Sequence, residues 1–181
     1  MIKYQPICLS ERNHRFALEQ SGERVLLVIG VNPSTADENT IDNTMGSVLR
    51  FVNAFEYDGF VMLNLSSERS TDPDNLSPDL DFKMHKKNLE VIREMSQKYP
   101  QADILLACGN NIERRKYLGK CFSAIYPILQ PHKRWLCIGG KERMTKRGHP
   151  RHPLYASSQW GLCEFDIDAY VNKHSYNTTT D

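Results

Sequence analysis

The run VLLVIGV, residues 25–31, limits the fold of this chain more than any other sequence feature. Its apolar residues do not alternate with polar ones, which indicates a strand that is buried on both faces. Such strands are typical of parallel sheets that are covered by helices on either side. The run ends at Asn32-Pro33, and a polar stretch follows it. The sequence therefore predicts a central strand whose carboxyl end opens into a polar loop.

Three more apolar runs have the length of buried strands, and they lie at residues 60–63, 103–107 and 135–138. Between them, apolar residues recur at helical spacing after Asp42 and again from about Asp81. A third helix is expected to be capped by Asn110 or Asn111. Strands that alternate with helices predict an α/β fold, here a three-layer sandwich with a mostly parallel four-stranded central sheet.

The two ends of the chain complete this picture. Residues 2–9 and 14–19 are expected to form two short strands around a turn, and residues 162–171 are expected to close the fold. A length of 181 residues is enough for one domain with a substantial core. We therefore predict a single α/β domain over residues 1–171 and a disordered polar tail over residues 172–181.

Composition argues against several classes of protein. An apolar fraction of 40% and a charged fraction of 25% are typical of a soluble globular protein. No apolar run approaches the roughly 18 residues that a membrane span needs, and the first residues lack the layout of a signal peptide. The five cysteines are widely spaced and form no CxxC motif, which argues against a disulfide framework and a structural zinc site. We expect a cytoplasmic protein with no membrane association, no metal and no cofactor.

Charge is distributed unevenly, although the formal net charge is only +1. Residues 35–110 contain 7 Lys or Arg and 13 Asp or Glu, whereas residues 111–151 contain 11 Lys or Arg and 2 acids. The basic part is compatible with a surface that faces nucleic acid. The candidates for phosphate and DNA contacts are Lys141, Arg143, Lys146, Arg147 and Arg151. A solvated basic helix followed by a basic loop explains the same residues equally well.

Polar or glycine residues follow all four predicted central strands, at Asn32-Pro33, at Asn64, at residues 108–110 and at residues 139–140. The carboxyl ends of parallel strands meet at one edge of the sheet. Open α/β sheets bind their ligands in the crevice beyond that edge. The sequence therefore predicts that these residues converge on one site.

Three stretches near this edge contain candidate site residues, and one of them, Asn64, carries the kind of amide that reading the edge of a nucleobase requires. Pro33 pushes Asn32 toward an extended conformation, which fixes the position of its side chain. The amide of Asn64 offers a donor and an acceptor together. Each of His149 and His152 is followed by proline, which restricts its backbone. Each stretch also has a simpler explanation, as a strand exit, a turn asparagine or a surface loop.

Taken together and in this order, the three stretches resemble an uncharacterised bacterial and phage family with an Asn-Pro-Ser-Thr-Ala-Asp motif and a later His-Pro-Leu-Tyr motif. The matching residues are 32–37 and 152–155. More distantly, the chain is similar to the uracil-DNA glycosylase superfamily. That superfamily has a Gly-x-Asn-Pro-Gly type motif, an asparagine after an apolar strand and a late His-Pro-Ser loop. Its counterparts here are residues 30–34, the "VMLN" that ends at Asn64, and residues 152–157.

The distant resemblance implies a uracil-DNA glycosylase-like fold and a DNA glycosylase-like hydrolase that releases uracil or a modified pyrimidine from DNA. Asn32 would position the attacking water, and His152 would stabilise the leaving base. Ser34 stands where the superfamily has glycine, which changes how closely a ligand can approach the backbone. The implied base-binding residues are Asn64, Pro33 and Ser34. The possible additional residues are Asp42 and Thr44, which the glycosylases lack, and His149, which competes with His152.

Other interpretations stay open. The chain could act on a free nucleotide or nucleoside, or it could be a non-catalytic module that binds a base or nucleic acid on the same fold. Cys108 could be a nucleophile with His149 or His152 as its base. The candidates for an aromatic that stacks on a base are Phe51, Phe55 and Tyr57. The expected partner is DNA, single- or double-stranded, or a nucleotide, and no obligatory protein partner is inferred.

Overall fold

A seven-stranded mixed sheet runs through the protein in a computed structural model that describes residues 2–132 and 134–176. Its spatial order is β1-β2-β4-β3-β5-β6-β7. The strands are β1 (Ile7–Glu11), β2 (His14–Gln20), β3 (Val25–Gly30), β4 (Gly59–Asn64), β5 (Asp103–Leu106), β6 (Trp135–Ile138) and β7 (Leu162–Glu164). All six residues of β3 and all six of β4 are buried, as expected for the centre of a sheet covered on both faces.

The prediction of a four-stranded, mostly parallel sheet is wrong, because among the described residues the sheet has seven strands and only three of its six strand pairings are parallel. The four central strands β4, β3, β5 and β6 do pair in parallel. However, β2 pairs with β4 in antiparallel fashion and carries β1 with it, while β7 pairs antiparallel with β6 at the other edge. The edge strands β1 and β7 are short and half-exposed, so they lack the continuous apolar runs that identify the central strands.

Four α-helices cover the sheet, and they are α1 (Asn43–Ala54), α2 (Phe82–Lys98), α3 (Lys116–Leu129) and α4 (Ile167–Lys173). The two helices expected after Asp42 and from about Asp81 are confirmed, and these aspartates cap them, because Asp42 accepts from Met45 N–H and Asp81 accepts from Met84 N–H. The predicted cap at Asn110 or Asn111 is wrong. Those residues form a 3₁₀ turn, Gly109–Glu113, and α3 begins only after Arg115, whose backbone is extended.

Two apolar clusters lie on opposite faces of the sheet. Alternate side chains of β3 point to each face, so Leu27 and Ile29 join one cluster while Leu26 and Val28 join the other. The first cluster contains the apolar sides of α2, α3 and α4, and the second contains that of α1. The result is a mixed α/β arrangement in which the sheet is the middle layer.

The order of connections fixes where a ligand can bind. From β3 the chain passes through α1 to β4 on one side, and then through α2 to β5 on the other side of β3. The strand order therefore reverses between β3 and β5. In open α/β sheets the crevice beyond the carboxyl ends of two such strands is the usual ligand site. Here that crevice lies between the polar segments that follow Gly30 and Leu106.

The structure continues into the predicted tail. Helix α4 runs to Lys173, and the ring of Tyr176 lies 5.3 Å from that of Phe122. The remaining residues of the predicted tail, 177–181, lie outside the described residues. In the part of the chain that the structure describes, no helix has the length and apolar character needed to cross a membrane.

Candidate functional site

A cleft of about 370 Å³ opens at the carboxyl ends of β3 and β5. It is bordered by segments that follow three strands and by the late His-Pro loop. Its lining residues are Val31, Asn32, Ser34, Thr35, Asp42, Asn43, Thr44, Ser70, Thr71, Pro73, Asn111, His152, Leu154 and Tyr155. The structure thus brings together five residues predicted for the site, which are Asn32, Ser34, Asp42, Thr44 and His152.

Asn32 is held in place by the loop that follows β4. Strands β3 and β4 leave the sheet side by side, because Ser66 N–H donates to the Val31 carbonyl at 2.8 Å. The side-chain nitrogen Nδ2 of Asn32 then donates to the Ser70 carbonyl at 2.8 Å and to the Pro33 carbonyl at 3.1 Å. Both contacts use the amide nitrogen. The carboxamide oxygen is therefore the atom of Asn32 that is left to interact with a ligand or a water molecule.

His152 presents a neutral imidazole to the cleft. Its Nδ1 accepts a hydrogen bond from Leu154 N–H at 3.2 Å, which assigns the proton of the neutral ring to Nε2. Burial lowers the pKa of His152 below its usual value, and the Asp42 carboxylate opposes this effect. Gly109 allows the backbone at His152 to pack close, since a Cβ at this glycine would lie 3.2 Å from the Cβ of His152. His152 is therefore a positioned hydrogen-bond donor rather than a cation.

Asp42 and Thr44 enter the cleft from the start of α1. The two carboxylate oxygens of Asp42 accept from different backbone donors, Oδ1 from Met45 N–H at 2.8 Å and Oδ2 from Ala36 N–H at 3.1 Å. These bonds tie the loop after β3 to the helix. They also fix the carboxylate at one place on the cleft wall.

Asn64 lies at the same edge of the sheet but not on the surface of the cleft. It pairs with Gly30 in the parallel register, and it is fully buried. Neither polar atom of its amide has a hydrogen-bond partner among the described residues. A Cβ at Gly30 would lie 2.8 Å from Asn64 Oδ1, so a larger residue at position 30 would clash with the amide oxygen. A buried amide without partners is costly, which makes this residue a candidate for contact with a ligand.

Tyr155 is the aromatic residue at the rim of the cleft. It is 74% exposed, and its ring centroid lies 6.2 Å from that of His152. The three aromatic residues suggested from the sequence lie elsewhere. Phe51 is fully buried in the core with Phe55 stacked on it, and Tyr57 lies just before β4, at the opposite edge of the sheet. Tyr155 belongs to the His-Pro-Leu-Tyr motif, but the sequence alone does not show that its ring is exposed.

His149 belongs to a buried network and does not line the cleft. Its Nε2 lies 2.7 Å from a carboxylate oxygen of Glu113, and its Nδ1 lies 2.8 Å from the hydroxyl of Tyr170. The hydrogen bond to His149 lowers the pKa of Glu113, and Arg147 adds to this effect. The two histidines of the His-Pro loop therefore differ in environment. His149 ties the loop to α4, and His152 faces the cleft.

This difference predicts that replacing His149 lowers the stability of the protein more than replacing His152 does. His149→Ala should lower the free energy of unfolding by about 1–3 kcal/mol, because the buried hydroxyl of Tyr170 and the Glu113 carboxylate lose a partner. His152→Ala should cost less than about 1 kcal/mol, because its ring makes a single hydrogen bond to the described residues, from Leu154 N–H, and is partly exposed. Urea unfolding of both variants measures the difference. Equal losses of stability would contradict the structural role given to His149.

The predicted phosphate-binding residues do not all line the cleft or the groove beside it, although Arg143 and Arg151 lie over the same Trp160 ring. Arg151 lines a groove of about 680 Å³ that shares His152 and Asn111 with the cleft. Arg143 packs its guanidinium over Trp160, and Arg147 is paired with Glu113. Lys141 lines a separate depression next to β7. Lys146 is exposed. Arg114 lines the same groove as Arg151, although it was not among the predicted residues.

The alternative with a cysteine nucleophile is not supported by the geometry. Cys108 is fully buried, its thiol donates toward the Ile29 carbonyl, and burial raises the pKa of this thiol well above the usual range. All five cysteines are free. In the described ranges, no group of three or more His, Cys, Asp or Glu side chains is arranged to hold a metal ion.

Two arginines behind the cleft were not suggested by the sequence. Arg69 donates to the Ser34 carbonyl at 2.9 Å, and Arg15 donates to the Ala36 carbonyl at 2.7 Å. Arg15 is 2% exposed, and burial lowers its pKa to about 10. Together they fix the loop that connects β3 to α1. Asn111, Ser70 and Thr71 were also missed as lining residues, although the long polar loop after β4 was a detectable signal.

Comparison with known proteins adds a family and no activity. No curated protein and no solved structure matches this chain. A family model described as "Protein of unknown function (DUF1643)" matches residues 15–154, a span that holds the strands from β2 to β6 apart from His14 and every residue of the cleft except Tyr155. With most of its length covered by that match, the chain belongs to the DUF1643 family.

Proposed function

We propose that this protein hydrolyses an N-glycosidic bond and releases uracil or a modified pyrimidine from DNA. One observation carries the proposal. A single cleft holds both the available amide oxygen of Asn32 and the neutral Nε2–H donor of His152, and both residues were selected from the sequence for these roles. A nucleophilic cysteine is not needed to explain the arrangement.

The chemistry divides between these two side chains. When the bond between base and sugar breaks, negative charge develops on a carbonyl oxygen of the leaving pyrimidine. A positioned donor at that oxygen is commonly worth about 3 kcal/mol in a preorganised site. His152 supplies such a donor without carrying a charge. Asn32 accepts a hydrogen bond from the attacking water and orients it toward the sugar.

Recognition of the base falls to Asn64 and Tyr155. The amide of Asn64 has one donor and one acceptor side without a partner, which is the pattern that the edge of a pyrimidine completes. Because Asn64 is fully buried, a base reaches it only if side chains of the cleft lining move aside. The exposed ring of Tyr155 supplies a stacking surface at the entrance, and stacking of a base on an aromatic side chain is worth about 1–3 kcal/mol.

A second candidate, hydrolysis of a free nucleotide or nucleoside, is favoured by the charges around the adjoining groove. Arg114 forms an ion pair with Asp74 at 3.3 Å, and Asp72 lines the same groove. Both acids oppose the phosphates of a long nucleic acid. A single nucleotide places fewer phosphates against this surface than a DNA strand does.

The test is an assay for base release by the purified protein. Single- and double-stranded oligonucleotides that carry uracil, hydroxymethyluracil or glucosylated hydroxymethylcytosine are incubated with the protein, and abasic sites are scored by alkaline cleavage. Free nucleotides are tested in parallel by chromatography. We expect release from at least one oligonucleotide, with an affinity that falls steeply with salt. Release from free nucleotides alone would favour the second candidate.

One result of these assays would overturn both enzymatic candidates. If no base is released, while a base or nucleotide still binds in a manner that Asn64→Ala abolishes, the protein is a non-catalytic binding module. Calorimetry on the wild type and this variant makes that distinction.

A further inference from the structure

We infer that Asp42 is the proton acceptor for the attacking water in the hydrolysis proposed above, on which this inference rests. The role requires a base in the cleft, and Asn32 cannot fill it. A carboxamide has no useful basicity, so it can orient a water molecule without taking its proton. Among the described residues that line the cleft, Asp42 is the one carboxylate.

The position of Asp42 suits this role. Two backbone donors, Met45 N–H and Ala36 N–H, each hold one oxygen of the carboxylate. A carboxylate has about four acceptor sites, so the two bonds leave capacity for a water molecule in the cleft. The backbone donors fix the position of the carboxylate. Unlike an arginine partner, they carry no positive charge that would neutralise it. Asp42 is therefore both the cap of α1 and an accessible base.

The surroundings of Asp42 place it across the same cavity as His152. The carboxylate acts electrostatically on His152, and also on Arg15 from β2 and on Tyr4 near the start of the chain. Arg15 is directed at the Ala36 carbonyl, so it supports the loop and does not form an ion pair with Asp42 within 4 Å. The negative charge of Asp42 thus faces the cleft together with a neutral donor.

The proposed step balances with water as the only co-reactant. The water oxygen forms a bond to the anomeric carbon of the sugar while the bond from that carbon to the base nitrogen breaks. The electron pair of the broken bond stays on the base, which leaves as an anion hydrogen-bonded to Nε2–H of His152. One proton of the water passes to the Asp42 carboxylate. Solvent later removes this proton and protonates the released base.

The experiment compares Asp42→Asn with Asp81→Asn, a matched control. Both aspartates cap a helix with one carboxylate oxygen, since Asp81 accepts from Met84 N–H at 3.0 Å, but Asp81 lies outside the cleft and lacks the second bond that Asp42 accepts from Ala36 N–H. Asparagine is a good helix cap, so both variants should fold. Single-turnover base release from the uracil oligonucleotide is measured between pH 4 and pH 9, together with oligonucleotide affinity and thermal unfolding.

We expect Asp42→Asn to slow base release by about 100-fold or more, the usual contribution of a general base. Oligonucleotide affinity should stay within about threefold of the wild-type value, and Asp81→Asn should match the wild type in every readout. A release rate for Asp42→Asn within about threefold of wild type, or a loss that appears wholly as weaker binding, would overturn the inference. Wild-type protein that releases no base would instead overturn the proposed function itself.

Discussion

Replacing His152 with alanine is expected to slow base release by about 10²- to 10³-fold. This is the effect of removing one positioned donor from an oxyanion site, and it corresponds to about 3–4 kcal/mol. The expectation rests on the neutral ring, whose Nδ1 is used by Leu154 N–H, so that Nε2 is the donor. His152→Gln keeps an N–H group at a similar reach and should recover part of the rate. Single-turnover release by both variants measures this order.

The pH dependence gives an independent check of the same residue. Burial lowers the pKa of His152 from its ordinary value of 6.5, so the ring stays neutral as the pH falls through 6.5. The wild-type rate should therefore show no decline centred at pH 6.5. Unfolding exposes the ring and restores its ordinary pKa, so this residue lowers the free energy of unfolding as the pH falls below 6.5. His152→Ala should remove its part of that slope.

The control for His152 lies three residues earlier. His149→Ala should destabilise the protein while its remaining folded fraction keeps most of the activity, because His149 does not line the cleft. If His149→Ala abolished release at temperatures where the variant is fully folded, the assignment of His152 as the donor would be wrong.

The parts of the fold that follow from local chemistry could be predicted from the sequence. The ends of β6 match the predicted residues 135–138, since a short apolar run leaves little choice of boundaries. The starts of α1 and α2 near Asp42 and Asp81 could be predicted, and Asp42 also as a cap, because a cap contacts a residue only three positions further along the chain. The edge strands were not all placed in the sheet, since β7 has three residues and owes its position to pairing with β6.

The sequence predicts the position of those site residues that directly follow a parallel strand, because strand direction decides the edge at which they emerge. Asn32 follows β3 and therefore had to emerge at the carboxyl edge. Asn64 ends β4, but because alternate side chains of a strand point to the same face, it lies with Phe60 and Met62 on a buried face. No local rule distinguishes His149 from His152, because both precede proline. Their roles depend on Glu113 and Tyr170, which are 36 and 21 residues from His149.

Replacing Asn64 with leucine is expected to stabilise the free protein and to abolish recognition of the base. Leucine has as many side-chain heavy atoms as asparagine and removes two buried polar atoms that have no partner. An unsatisfied buried polar group costs about 1–3 kcal/mol, so the free energy of unfolding should rise by an amount in that range. For a chain of this size each kcal/mol raises Tm by about 2–4 °C. Affinity for the pyrimidine oligonucleotide should fall at least tenfold, or about 1.4 kcal/mol.

Asn88 supplies the matched control for this substitution. It is also fully buried, on α2, and its Oδ1 likewise has no partner among the described residues, but its Nδ2 donates to the backbone carbonyl of Asn64 at 2.9 Å. Asn88→Leu removes that bond and should lower the free energy of unfolding by about 1–3 kcal/mol, the opposite sign. Thermal unfolding of the two variants separates an amide that supports the fold from one that is kept for a ligand. A loss of stability in both would show that the Asn64 amide is bonded in the free protein, and its proposed role in reading the base would fail.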